Sequence, residues 1–223
     1  MAEHITFKRP DGKSAPGIYM APALADGAPG LVVIQEWWGV NDQIKSVGER
    51  MVGQGFRVLI PDLYRGKVAL DAAEAQHGME GLNFGDAATQ DVRGAVQHLK
   101  AGSAHVGVIG FCMGGVLSVL AAMHVPETSA AVSWYGIPPD AAGDPGAIKI
   151  PLQCHFGIQD AFFKIASADA LEKKLKAGGV THECWRYDAG HAFGNEEGAN
   201  YNREAATLAW QRSLTFLGKY LKG

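Results

Sequence analysis

Along the chain, short apolar runs alternate with longer stretches in which apolar residues recur every three or four positions. The runs Leu31-Val32-Val33-Ile34, Arg57-Val58-Leu59-Ile60 and Val106-Gly107-Val108-Ile109 show almost no polar alternation, which predicts strands buried on both faces. Residues 130–135 and 152–156 read the same way, and residues 183–187 as a last strand. Between these runs, helical spacing links Ile44, Val47 and Met51, then Val92, Val96 and Leu99, then residues 116–123. Leu171 and Leu175 mark a helix that ends at Gly178-Gly179, and Leu208, Leu214, Leu217 and Leu221 line a closing one. Strands alternating with helices predict a mostly parallel central sheet with helices on both faces.

Length and composition agree with one α/β domain over residues 1–223: the chain is 47% hydrophobic, enough for a full core. A net charge of -3, with Lys and Arg scattered rather than clustered, provides no basic patch for nucleic acid. Cys112, Cys154 and Cys184 are too few and oddly numbered for a disulfide framework, which points to a reducing compartment. The first ten residues hold no apolar signal segment, so a cytoplasmic location is expected. Residues 106–123 are uncharged and near membrane-spanning length, but their glycines fit a buried strand, a turn and a buried helix better. No membrane partner is expected. Loops are expected at residues 138–146 and 188–202.

The turn between that strand and helix carries the chemistry. Gly110-Phe111-Cys112-Met113-Gly114-Gly115 follows the pattern G-x-S-x-G of the nucleophile elbow of α/β-hydrolases, with cysteine in the place of serine. A nucleophile on so sharp a turn needs glycines two positions either side, and the following helix aims its free N–H groups at it. In that fold the acid and the histidine follow the nucleophile in chain order, in loops after the last strands. Asp160 follows the run at 152–156, and His191 follows the run at 183–187. A free thiol titrates near ~8.5, so His191 is expected to take the proton of Cys112 while Asp160 orients and balances the imidazole. The oxyanion is expected on the backbone N–H groups of Met113 and Trp37.

The other histidines form no H-x-x-x-H pair, Cys184 has no C-x-x-C partner, and Cys154 reads as core, so no metal site is expected. The glycines around the elbow do not make G-x-G-x-x-G and no G-K-[ST] is present, so no cofactor is implied. Trp38, Tyr64, Trp134, Tyr135 and Phe193 fall in the same strand-end loops and are expected to line an aromatic substrate pocket, with core packing as the rival reading.

Taken together, Gln35-Glu36-Trp37-Trp38-Gly39, Pro61-Asp62-Leu63-Tyr64, the elbow, Trp134-Tyr135-Gly136, Gly157-Ile158-Gln159-Asp160 and Gly190-His191-Ala192-Phe193 resemble the dienelactone hydrolases, or carboxymethylenebutenolidases, over nearly the whole chain. The resemblance implies a cysteine hydrolase with Cys112, Asp160 and His191 as its triad, opening a lactone or ester through an acyl-thioester. It also implies that the Glu36 carboxylate contacts the resting cysteine and holds it as a thiol, since a nearby negative charge raises a thiol's pKa. A small-molecule lactone or ester is the implied partner, and a monomer the implied state.

One departure bears on the substrate. Lactone hydrolases of this family hold a substrate carboxylate with arginines, one in the region after Asp-Leu-Tyr and one just after the catalytic histidine. Here residues 66–89 hold no arginine, and His191 is followed by Ala192-Phe193-Gly194-Asn195. Arg65, Lys67 or Arg203 would have to fold inward to replace them. A general carboxylesterase or thioesterase acting on neutral substrates is therefore the alternative, and a non-catalytic binding protein a third reading.

Overall fold

The computed structural model describes residues 2–223. Eight strands form one sheet: β1 (Glu3–Lys8), β2 (Ser14–Met20), β3 (Gly30–Ile34), β4 (Arg57–Pro61), β5 (Val106–Phe111), β6 (Ala130–Trp134), β7 (Leu152–Gly157) and β8 (His182–Tyr187). Their spatial order is β1-β2-β4-β3-β5-β6-β7-β8; the β1–β2 and β2–β4 pairings are antiparallel and the others parallel. The helices are α1 (Asp42–Gly53), α2 (Ala72–Glu80), α3 (Phe84–Asp86), α4 (Arg93–Lys100), α5 (Met113–His124), α6 (Ile165–Ala177) and α7 (Arg203–Leu221), with a π-helical turn, Ala87–Val92, joining α3 to α4.

The apolar runs become the central strands because both faces of the sheet are covered. Val32, Ile34, Val106 and Val108 pack toward α4, α5 and α6, whereas Leu31, Val33 and Ile109 pack toward α1 and α7. All residues of β3, β5, β6 and β7 are buried, which explains why these strands read as continuous hydrophobic runs. Asn41 caps α1 by accepting from the Ile44 N–H, and Asn202 caps α7 by accepting from Ala205.

The expected strands and helices are present, with two local differences. Leu208 faces solvent on α7, 40% exposed, and the buried stripe runs through Ala205, Ala209, Ser213, Phe216, Leu217 and Leu221 instead. The β1–β2 hairpin, whose β1 turns only Ile5 and Phe7 inward, and α2, which buries only Ala75, are additional to the expected elements. The far end of the hairpin is tied down by charge: Arg9 pairs with Asp86 and with the buried Asp91 in the π-helical turn. No described helix is long and apolar enough to cross a membrane.

The order of the strands places the site. After β3 the chain moves outward to β4, then returns to the other side of β3 to form β5. The switch in direction opens a crevice beyond the C-terminal ends of β3 and β5, where doubly wound sheets bind ligands. Glu36 and Trp37 leave the end of β3 there, and Cys112 leaves the end of β5.

Candidate active site

Cys112 sits between β5 and α5 with φ of 53° and ψ of -114°, a strained conformation for a residue with a side chain and one that costs roughly 1–3 kcal/mol. The flanking glycines make the turn possible. A Cβ on Gly110 would collide with the Gly114 carbonyl, and one on Gly114 with the carbonyl oxygens of Ile34 and Gln35. With hydrogen there instead, α5 starts hard against β3 and presents its first N–H groups beside the sulfur. The Met113 N–H, next to the thiol at the start of α5, favours its ionised form.

Three expected residues meet. The Nε2 of His191 lies 3.1 Å from the Cys112 Sγ, and its Nδ1 lies 2.7 Å from Asp160 Oδ2. The other Asp160 oxygen accepts from the Phe162 and Phe163 N–H groups at 2.8 and 2.9 Å, so the carboxylate cannot rotate away from the imidazole. The His191 ring is held between Phe162, Phe163 and Tyr135, at centroid distances of 5.0, 5.7 and 5.4 Å. Asn200 fixes its backbone by donating to the His191 carbonyl.

Glu36 is buried, and its pKa is pushed up by loss of solvent, an effect opposed by Asn195, His191 and Tyr135. Its Oε2 accepts from Asn195 Nδ2 at 2.8 Å and its Oε1 from the Tyr135 hydroxyl at 3.2 Å. Both of its oxygens have donors other than the thiol, which faces His191, so no hydrogen bond joins Glu36 to Cys112. Burial first, then Glu36 and Asp160, push the thiol well above its ordinary range.

A cavity of about 420 Å³ opens over these groups, walled by Trp37, Trp38, Met79, Phe84, Val116 and Phe163. Of the expected pocket residues Trp38 lines it and four do not. Trp134, Tyr135 and Phe193 are at most 2% exposed and belong to the core on the α1 and α7 face. Trp134 stacks on Phe193 and donates its indole N–H to Ser213, and the Tyr135 phenol supports Glu36. Tyr64 lines a separate cleft beside α2, its hydroxyl reaching the Met113 sulfur. Met79, Phe84 and Phe163 were missed, because they arrive from α2, α3 and the loop after Asp160 with no local motif.

No lysine or arginine lines this cavity. Arg65 is bound by both oxygens of Asp91, Lys67 faces the cleft beside α2, and Arg203 begins α7. The amide of Asn195 stands beside Glu36 as a neutral donor.

A doubly wound sheet with Cys112 on the turn after β5, and with Asp160 and His191 in loops after β7 and β8, is the arrangement of an α/β-hydrolase. Residues 16–221 match the dienelactone hydrolase family; the chain belongs to it and is a hydrolase acting on carboxylic ester or lactone bonds. It is 31% identical to protein usf of Aquifex pyrophilus, with 99% of this chain and 100% of the relative covered. It is 28% identical to the carboxymethylenebutenolidase of Pseudomonas putida over 97% of this chain and 96% of that one. Among solved structures, it superposes with a TM-score of 0.87 and 26% identity on a Klebsiella pneumoniae protein provisionally assigned as a dienelactone hydrolase, covering 99% and 100% of the two chains.

Proposed function

We propose that this chain is a cysteine hydrolase that cleaves neutral esters or lactones, with an apolar acyl part, through an acyl-thioester. The observation that carries the reading is the line Cys112–His191–Asp160, with contacts of 3.1 and 2.7 Å, at the floor of a cavity without a cation. His191 Nε2 takes the thiol proton as the sulfur attacks the carbonyl carbon, and Asp160 balances the imidazolium. The tetrahedral oxyanion is held by the N–H groups of Met113, at the start of α5, and of Trp37, beside it in the cavity wall. The C–O bond then breaks, and the departing oxygen takes the proton from His191. Water, deprotonated by the same imidazole, attacks the thioester and releases the acid and the thiol.

The raised thiol pKa fits this order of events: the proton leaves in concert with attack rather than beforehand. Neutral substrates are favoured because a carboxylate brought into the cavity would meet Glu36 and no compensating charge. The carboxymethylenebutenolidase relative makes a lactone the nearest cyclic candidate.

Cys112→Ala and His191→Ala should each lower kcat/KM on p-nitrophenyl butyrate by at least about 10³-fold while leaving the unfolding midpoint within the range of a surface substitution. Mass spectrometry of the wild-type protein quenched during turnover should show an acyl group on the peptide carrying Cys112. Full activity of the alanine variant, or acylation elsewhere, would refute the mechanism.

A further inference from the structure

The catalytic cavity has a neighbour of opposite character. A cleft of about 420 Å³ lies between the loop after β7 and the loop after β8, and it shares Phe162, His191, Ala199 and Asn200 with the cavity over Cys112. The two spaces are therefore neighbours on either side of these shared residues, His191 among them. One is walled by indoles, thioethers and aliphatic groups. The other presents Gln159, Asp188, Asn200, Tyr201 and Asn202.

The cleft's polar groups are held in place by the protein. Gln159 Nε2 donates to one oxygen of Asp188 at 2.6 Å, Asn202 donates to the Asp188 carbonyl at 3.2 Å, and Asn200 donates to the His191 carbonyl at 3.1 Å. Those bonds leave the second Asp188 oxygen, the Asn200 Oδ1 and the Tyr201 hydroxyl, all on residues that line the cleft, without a hydrogen-bond partner in the protein. All three accept hydrogen bonds, and the hydroxyl also donates. Phe162, 73% exposed, adds an apolar plate at the junction.

We propose that this cleft is the alcohol subsite of the hydrolase, and that it takes a leaving group bearing vicinal hydroxyls, such as a glycerol or sugar moiety. The proposal rests on the cysteine-hydrolase reading, which fixes where the alcohol must lie. The acyl carbon is bonded to Cys112, so the acyl chain occupies the apolar cavity. As the C–O bond breaks, the leaving oxygen takes its proton from His191 Nε2. The alcohol therefore leaves past His191, and the neighbouring space that His191 also lines is polar. An alkyl alcohol would desolvate Asp188 and the amides without replacing their bonds to water, whereas two hydroxyls on adjacent carbons replace them pairwise. An exposed aromatic beside a carboxylate and carboxamides suits the mixed C–H and O–H surface of such a group.

The test compares three butyrate esters that share an acyl group: 2,3-dihydroxypropyl, propyl and 2-(trimethylammonio)ethyl. The dihydroxypropyl ester should have kcat/KM at least about tenfold above the propyl ester, the worth of two modest hydrogen bonds. Tyr201→Phe and Asp188→Asn should each cut that ratio by about threefold or more, since each removes or weakens one of those contacts. A wild-type ratio near one, a ratio unmoved in both variants, or a preference for the cationic ester would overturn the proposal. If the ratio is one and Cys112→Ala is dead, the subsite fails and the hydrolase reading stands. If Cys112→Ala stays active, the mechanism fails whatever the ratio.

Discussion

At the residue scale, Glu36 is a buried carboxylate placed near the Cys112 thiol with no hydrogen bond to it. Its oxygens are satisfied by Tyr135 and Asn195, so it needs no proton from Cys112 for hydrogen bonding, yet its charge disfavours a thiolate nearby. Removing the charge should lower the thiol pKa. If Glu36→Gln lowers it by about one unit, the thiolate fraction at neutral pH rises about tenfold; the weaker nucleophilicity of a less basic thiolate leaves a net gain of about threefold. Iodoacetamide inactivation rates measured between pH 6 and 10 would check this, and an unshifted profile would remove Glu36 from the control of the thiol. The aromatic residues divide in the same way, by what they touch. Phe193, wholly buried against Trp134, Tyr135 and Tyr187, should cost about 3–5 kcal/mol as alanine, read from urea unfolding. Trp38→Ala, in the cavity wall, should instead raise KM for apolar esters with a smaller loss of stability.

At the scale of elements, the part of the fold that generates the site was legible and the part that closes it was not. The runs that become β3, β5, β6 and β7 are buried on both faces, so hydrophobicity alone marks them, and the loops at their ends then locate Cys112, Asp160 and His191. β1 is largely exposed and β2 carries Pro16 and Gly17, which argue against a strand although Pro16 lies outside the pairing with β4. α2 buries Ala75 and little else, so it leaves no periodic signature even though its Met79 reaches the cavity. Nor could sequence order tell which way Trp134 and Tyr135 turn at the end of β6: Tyr135 has φ of 41°, and the phenol lands against Glu36. Long-range charge pins the turn of the hairpin: Arg9 pairs with Asp91, 2% exposed and 82 residues away, which Arg65 also binds from 26 residues away. Replacing Asp91 with Ala would leave Arg9, itself buried, short of a partner and should destabilise the protein by about 3–5 kcal/mol in chemical denaturation. A loss below about 1 kcal/mol would show that Asp86 and Asp11 suffice to hold Arg9.

At the scale of the whole molecule, the sheet's switch point brings Cys112 to a largely apolar chamber while the protein's cations are used elsewhere. Arg65 and Arg9 hold the π-helical turn, Arg93 holds Glu127, and Arg186 bridges Asp169 and Glu172. None faces the substrate. An anionic acyl group would have to leave water for a space whose fixed charge is the Glu36 carboxylate, and an unpaired carboxylate in such a place costs several kcal/mol. Mono-p-nitrophenyl succinate should therefore have a kcat/KM at least about 10²-fold below that of p-nitrophenyl butyrate, a loss of about 3 kcal/mol. The two esters share a leaving group and acyl-chain length, so the ratio isolates the charge. Met79→Arg, which puts a cation into the cavity wall, should narrow the gap by raising the succinate rate. Equal rates for the two esters in the wild-type protein would mean that a cation reaches the substrate after all, and would return the anionic lactones to the centre of the functional assignment.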